Sequence, residues 1–157
     1  MEAIFLVCGA GGPQLKRNPL GGPPAMTPLE IVRQFVDRIN AHDLPGLATL
    51  MTPNHRFVDS LGAVVEGREE AREGWRQYFQ MVPDYRIGIT HSFADGAEVA
   101  LLGSAGGTYT RDGQLYSSNA WHTPAAWRAI VRNALVAEWQ VYADNEPIRD
   151  RMRRASA

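Results

Sequence analysis

The sequence predicts an α+β fold, a cone-shaped α+β barrel in which three N-terminal helices pack on a strongly curved, mainly antiparallel sheet. Two observations support this prediction. Apolar residues repeat at helical spacing in three segments between residues 27 and 82, and after Pro83 strand-like segments alternate with turn residues. Helices followed by a run of strands indicate that the helices cover one face of the sheet. The 157 residues suffice for one domain with a buried core.

Each predicted helix has an apolar face, and two have a clear start signal. The first, TPLEIVRQFVDRINAHD, has Thr27 as N-cap, Pro28 at the first helical position and Glu30 to complete a capping box. The second, HDLPGLATLM, is capped by Asp43, and the third lies in EGREEAREGWRQYFQMV. The apolar faces comprise Ile31, Val32, Phe35, Val36 and Ile39, then Leu44, Leu47, Leu50 and Met51, then Ala71, Trp75, Tyr78, Phe79 and Val82.

The strands follow from alternation and from their turns. A short buried strand, HRFVDSLG, lies between the second and third helices. Four more strands are predicted in YRIGITHSF, EVALLGSAGGTYT, QLYSSNAWHTPAAWRAIV and LVAEWQVYAD. Their turns are Asp95-Gly96, Asp112-Gly113 and Arg132-Asn133-Ala134. The small residues from Gly103 to Gly107 indicate either extra room in the sheet or a bulge that bends it.

The composition argues against several classes of function. The net charge of −1 and the lack of a basic stripe with interleaved aromatic residues argue against nucleic-acid binding. The single cysteine, Cys8, rules out an internal disulfide framework, and the four histidines have no HxxxH or HExxH spacing. We therefore expect no metal, no cofactor and no nucleic-acid partner.

Residues 1–25 are predicted to be a flexible leader, because nine of the first 26 residues are Gly or Pro. GAGG would suit a dinucleotide-binding loop, but Gln14 replaces the third glycine and Pro13 stands where a helix should begin. AIFLVC is too short to span a membrane and lacks the positive region of a signal peptide. We expect a domain over residues 26–148, a basic tail over 149–157 that is a solvated helix end, and a cytoplasmic protein with no membrane partner.

Three segments resemble the nuclear transport factor 2-like superfamily, in particular its SnoaL-like small-molecule enzymes: TPLEIVRQFVDRINAHDLPGLATLM, FVDSLGAVVEGREEAREGW and VAEWQVYADNEPI. They span roughly residues 27 to 148. The superfamily includes ketosteroid isomerases, polyketide cyclases, limonene epoxide hydrolases and proteins that bind without catalysis. The resemblance implies a cavity for a small hydrophobic molecule, no cofactor, and a homodimer formed through the outer face of the sheet.

The same resemblance points to Asp59 and Asp144 as catalytic residues. Asp59 aligns with the aspartate that shuttles a proton in ketosteroid isomerase. That enzyme's tyrosine and neutral-acid donors fall on Phe35 and Ala125, which cannot donate, so steroid isomerisation by its mechanism is not expected. Asp144 matches the aspartate that SnoaL-type cyclases place near the end of the last strand, and it is the one limonene epoxide hydrolase position with a counterpart here.

Three interpretations of Asp59 remain open from the residues themselves. A buried carboxylate without a partner loses much of its hydration, so an acid in a buried strand needs a reason. Asp59 could be a catalytic or ligand-contacting base. It could be a structural partner of Arg56, His55 or a backbone donor. It could also be an exposed turn acid, since DSLG favours a turn.

Alternation divides the last strand into two faces: Glu138, Gln140, Tyr142 and Asp144, and Trp139, Val141 and Ala143. The match to the isomerase turns the first face toward the cavity, where Gln140 and Tyr142 would be orienting donors. The alternative is that this face meets solvent, while the Trp139 face packs inside or across a dimer.

The candidate substrate-binding side chains also include aromatic residues, and each could instead belong to the core: Phe35, Trp75, Tyr78, Trp121 and Trp127. Trp75 and Tyr78 would form a lid and the tryptophans the walls for an apolar ring compound. Two functions follow. The first is a cofactor-free enzyme of the cyclase or isomerase type, or like an epoxide hydrolase, that uses carboxylate acid/base catalysis. The alternative is a non-catalytic module for ligand binding or dimerisation.

Overall fold

In the computed structural model, which describes residues 24–155, helices pack against a six-stranded sheet. The described helices are α1 (Pro28–Asn40), α2 (Leu44–Thr49), α3 (Arg68–Met81) and α4 (Glu146–Arg154). The strands are β1 (Met51–Val58), β2 (Val64–Glu66), β3 (Arg86–Asp95), β4 (Glu98–Thr108), β5 (Ala120–Arg132) and β6 (Leu135–Ala143). The predicted leader lies outside the described residues, apart from Pro24 and Ala25.

The sheet is mixed and open within residues 24–155. Its strand order is β2-β1-β6-β5-β4-β3, so β2 and β3 are the edges. β1 and β6 are parallel, and the other neighbours are antiparallel. α1 contacts the four strands from β3 to β6, α3 contacts β1 and β2, and α4 contacts β5. The predicted α+β class, with helices on a mainly antiparallel sheet, is confirmed.

The start of α1 follows the predicted capping chemistry. The Glu30 N–H donates to Thr27 Oγ1 at 3.3 Å, and the Thr27 N–H donates to Glu30 Oε2 at 2.7 Å. These bonds satisfy two N–H groups that the helix itself leaves unpaired. The predicted apolar face of α1 is buried.

Two segments near the site differ from the prediction. The strand expected from Gln114 begins at Ala120, because the Gln114 N–H donates to Asp112 Oδ1 at 2.9 Å and Ser117–Asn119 then form a 3₁₀ turn. The basic tail expected from residue 149 begins inside α4. Ile148 of that helix is buried in the core, so α4 is a packed helix rather than only a solvated end.

Gly103 lies at a shift in the pairing of β3 with β4. The pairing of β3 with β4 shifts between Ile89 and His91, which pair with Gly103 and Leu102, so β3 carries one extra residue. A Cβ on Gly103 would overlap the carbonyl oxygen of Gly88. The glycine therefore permits the close approach of β3 at this bulge, as the run of small residues indicates.

The predicted orientation of the last strand, with its Glu138 face toward the cavity, is wrong. The alternative, in which the Trp139 face packs inside, is confirmed. Trp139 is fully buried in the core, while Tyr142 is 50% exposed. Glu138 lies on the outer face, where Arg56 and Arg128 hold its two carboxylate oxygens at 2.5 and 2.7 Å. The polar residues are on this face because burying the indole of Trp139 removes far more apolar surface from water than burying the polar side chains would.

Candidate functional site

A cavity of about 360 Å³ lies between α3, α4 and the inner face of the sheet. This volume falls in the range of small-molecule sites. Its lining is largely apolar and aromatic. Five polar or charged side chains also reach the cavity in addition to two tyrosines: Asp59, Ser60, Thr123, Asn145 and Arg149.

Four aromatic side chains form one connected wall of the cavity, which we call the aromatic wall: Trp75, Tyr78, Tyr85 and Trp121. The Tyr78 and Tyr85 rings meet edge to face with centroids 5.0 Å apart. The centroid of the Tyr85 ring is also 6.2 Å from that of Trp121 and 6.3 Å from that of Trp75. Such a wall suits the flat surface of a ring compound.

Backbone contacts help to position Tyr85 in addition to the ring contacts of its side chain. His42 Nε2 lies 3.0 Å from the Tyr85 carbonyl oxygen, and the Asn40 side chain exchanges two hydrogen bonds with the backbone of Ile87. A Cβ on Gly107 would overlap Val82, so this glycine lets the connection between α3 and β3 pass close to β4. These contacts place Tyr85 at the base of the aromatic wall.

The hydroxyl groups of Tyr78 and Tyr85 are available donors. Neither hydrogen-bonds to another described residue, and neither oxygen is among the fully enclosed unpaired atoms. Burial raises the pKa of both phenols well above the ordinary value, and for Tyr85 the neighbouring Tyr78 adds to this effect. Both phenols therefore stay protonated at physiological pH and can donate to a ligand oxygen.

Asp59 lines the cavity and closes the turn after β1. The N–H groups of Leu61 and Ala63 donate to its Oδ1 at 2.8 and 2.9 Å. Within the described chain its Oδ2 accepts no hydrogen bond, because Arg56 pairs with Glu138 and His55 Nδ1 contacts the Val136 carbonyl oxygen. Asp59 is thus a half-buried structural partner of backbone donors within a turn, with one oxygen free, and it pairs with neither Arg56 nor His55.

The other proposed acid is outside the cavity. Asp144 is exposed, and its Oδ1 accepts the Glu146 N–H at 2.8 Å at the start of α4. Gln140 and Tyr142 share the outer face of the sheet and do not line the cavity. The predicted positions of these three side chains at the cavity are therefore wrong. By alternation they fall on the outer side of the last strand, because the Trp139 face packs inside.

Five predicted aromatic residues divide between the cavity and the core. Trp75, Tyr78 and Trp121 line the cavity, and their role in substrate binding stays a prediction. Phe35 and Trp127 are fully buried against Trp139, with centroid distances of 5.1 and 6.3 Å, and do not line it. For Phe35 and Trp127 the core interpretation, also left open by the sequence, is confirmed.

One end of the cavity carries a polar group of side chains, which we call the polar end: Asp59, Ser60, Asn145 and Arg149. The sequence prediction included Asp59 but missed the other three. Asn145 Nδ2 donates to Ser60 Oγ at 2.7 Å, which joins α4 to the turn after β1. Arg149 follows Asn145 by one helical turn and lies on the same side of α4. The spacing of Ile148 and Met152 indicates an amphipathic helix here, and that signal could have located the polar end.

His55 is fully buried beside the core, and its Nε2 has no partner among the described residues. Burial lowers the pKa of this imidazole, although the Val136 carbonyl and Glu138 act in the opposite direction. The unfolded chain therefore takes up the proton more readily. Stability should be full above about pH 6.5 and should decrease as the pH falls from there toward the folded pKa.

His55→Gln should reduce the loss of melting temperature between about pH 7 and about pH 5, because the titrating group is removed. His122→Gln, at an exposed position, is the matched control and should keep the parent's pH dependence. An unchanged profile for His55→Gln would contradict the prediction.

Within residues 24–155, no three metal-ligating side chains are grouped closely enough to hold an ion. No helix in this part of the chain has the length and apolar character to cross a membrane.

Comparison with known proteins identifies relatives of the fold. A family model described as a SnoaL-like domain matches residues 32–139. A SnoaL-like polyketide cyclase-type protein from Shewanella putrefaciens aligns with a TM-score of 0.68 and 17% identity, covering 81% of this chain and 86% of its own. A ketosteroid isomerase-like protein from Catenulispora acidiphila, in complex with trimethylamine, aligns with a TM-score of 0.66 and 22% identity, covering 78% and 91%.

A third structure is IdmH from Streptomyces antibioticus, a candidate polyketide cyclase. It aligns with a TM-score of 0.68 and 18% identity, covering 81% of this chain and 99% of its own. At these identities the structural likeness shows the fold alone. The sequence has no match among curated proteins.

Proposed function

The chain belongs to the SnoaL-like domain family, and on that premise we propose that it is a cofactor-free enzyme that acts on an apolar, carbonyl-bearing ring compound by carboxylate acid/base catalysis. One observation carries the proposal. The free Oδ2 of Asp59 belongs to a carboxylate that lines an apolar cavity, and the same cavity holds the unpaired hydroxyls of Tyr78 and Tyr85.

The groups divide into a base and two donors. Asp59 would remove a proton from the carbon next to the ligand's carbonyl group. The oxygen of the resulting enolate would accept hydrogen bonds from Tyr78 and Tyr85, which lack other partners. An apolar lining strengthens these bonds because little water competes for the same groups. Isomerisation and cyclisation can both begin with this proton transfer.

The test is proton exchange on a ring ketone, with 1-tetralone as the probe. The protein is incubated with 1-tetralone in D₂O, and loss of the C2 proton signal is followed by NMR while binding is measured by calorimetry. We expect saturable binding and exchange above the buffer rate. Absence of binding would contradict the ligand-binding site itself.

A non-catalytic binding module is the second candidate function. It is favoured by the turn role of Asp59, whose Oδ1 is fully used by two backbone N–H groups. Asp59 is also the one carboxylate that lines the cavity in the described part of the chain, so a separate general acid would have to come from a tyrosine. Saturable binding of 1-tetralone without exchange would support this second function.

We also propose that two copies pair through the outer face of the sheet. Leu102, Ala126 and Tyr142 lie side by side on β4, β5 and β6, and Leu102 and Tyr142 are 43% and 50% exposed. Phe93, 58% exposed, extends this apolar patch onto β3. Light scattering at about 100 μM should give the mass of a dimer, as expected for micromolar or tighter affinity. A monomer mass would contradict the pairing.

A further inference from the structure

Arg149 has a different environment from the other arginines of α4. Arg153 contacts Glu146 at 2.5 Å, Arg154 contacts Asp150 at 3.1 Å, and Arg151 donates to the Ala120 carbonyl and to Asp150. The Arg149 guanidinium makes no hydrogen bond or ion pair with any residue between 24 and 155, yet it lines the cavity.

The one carboxylate among the described lining residues, Asp59, makes no ion pair with this cation. Asp59 and Arg149 line the same cavity, but no ion pair within 4.0 Å joins them. Two backbone N–H groups already hold Asp59 Oδ1. The polar end therefore presents an unused guanidinium to any ligand that enters.

The cavity is chemically divided. At the polar end, a hydrogen bond links Asn145 to Ser60, and Arg149 lies one helical turn after Asn145. The aromatic wall is joined by ring contacts between Tyr78, Tyr85 and Trp121. A molecule with an anionic group at one end and a ring system at the other would match both parts.

We propose that the ligand of this cavity is a ring compound with a carboxylate, and that Arg149 binds this carboxylate while the rings lie against the aromatic wall. A guanidinium can donate two parallel hydrogen bonds to a carboxylate, and such charged bonds are stronger than neutral ones. The proposal rests on the proposed function, because it assumes that the cavity binds a ring compound. It adds the substrate class and the residue that selects it.

The test compares 2-naphthylacetate, which carries a carboxylate, with its methyl ester, which is uncharged and larger by one methyl group. Calorimetry on the parent protein should show that the acid binds about tenfold or more tightly than the ester, the difference typical of a hydrogen bond to a charged group. Arg149→Gln should weaken binding of the acid about tenfold and leave binding of the ester unchanged. Arg149→Lys, which keeps the charge but cannot donate two parallel hydrogen bonds, should retain only part of the preference.

Arg154→Gln is the matched control, because Arg154 is exposed like Arg149 and lies on the same helix but does not line the cavity. It should bind both probes as the parent does. Equal affinity of the parent for acid and ester would overturn the inference while leaving the proposed function intact. The inference would also be overturned if Arg154→Gln weakened binding of the acid as much as Arg149→Gln does. Failure of both probes to bind would count against the proposed function as well.

Discussion

Asp59→Asn is expected to lower the rate of 1-tetralone exchange by roughly a hundredfold or more, the usual contribution of a general base. The variant should still fold, because the amide oxygen of asparagine can accept the two N–H bonds from Leu61 and Ala63 that Asp59 Oδ1 accepts now. It should also still bind the ketone, since the aromatic wall is unchanged. The measurement is the exchange rate by NMR together with the dissociation constant by calorimetry.

Asp144→Asn is the matched control for that experiment. It makes the same chemical change in an acid that lies outside the cavity and that also accepts a backbone N–H through one oxygen. Exchange should be unaffected. If Asp144→Asn lost exchange and Asp59→Asn kept it, the assignment of the base to Asp59 would be wrong. If neither variant changed the rate, carboxylate catalysis at this site would be contradicted.

Trp139→Ala is expected to reduce the free energy of unfolding by about 3 to 5 kcal/mol, as for other large aromatic side chains removed from a core. Trp139 is fully buried, and its ring lies 5.1 Å from Phe35 and 6.3 Å from Trp127. The cost arises because these rings cannot fill the space that the indole leaves. Urea unfolding followed by circular dichroism would measure it.

Tyr142→Ala tests the same strand from its other face. Because Tyr142 is half exposed, its loss should change stability by about 0.5 kcal/mol or less when measured at low protein concentration, where copies are not associated. A large cost for Tyr142→Ala and a small one for Trp139→Ala would show that the strand faces the other way. Trp139→Phe keeps part of the ring volume, and it is available if Trp139→Ala does not fold.

The helices near the N-terminus could be predicted because their signals are local. Thr27 and Glu30 are three residues apart, and the apolar face of α1 repeats within a single helix. The turn at Asp59 is local in the same sense, since DSLG allows a side-chain oxygen to accept N–H groups two and four residues later. Such contacts depend on the neighbouring residues, so the amino-acid order alone specifies them.

The direction in which a strand faces is not local. Alternation separates Trp139 from Tyr142 on β6, but it is symmetric, and either face could be inside. The resemblance led to the wrong choice, because a polar face suits a polar cavity as well as it suits solvent. The packing of Phe35, Trp127 and Trp139 decided the matter, since these three large rings from different elements are buried together and so remove much apolar surface from water.

The candidate site likewise combines residues with local sequence signals and residues that only contacts between distant segments bring to the cavity. The sequence and its family resemblance together proposed Asp59, Trp75, Tyr78 and Trp121 as site residues of an α+β fold, with a core role left open for the three aromatic residues, and all four line the cavity. Only the tertiary structure decided that Tyr85 and Arg149 join them and that Asp144 does not. These three positions depend on how α4 and the start of β3 pack against the rest of the fold, and contacts between segments far apart in the chain leave no pattern in either segment.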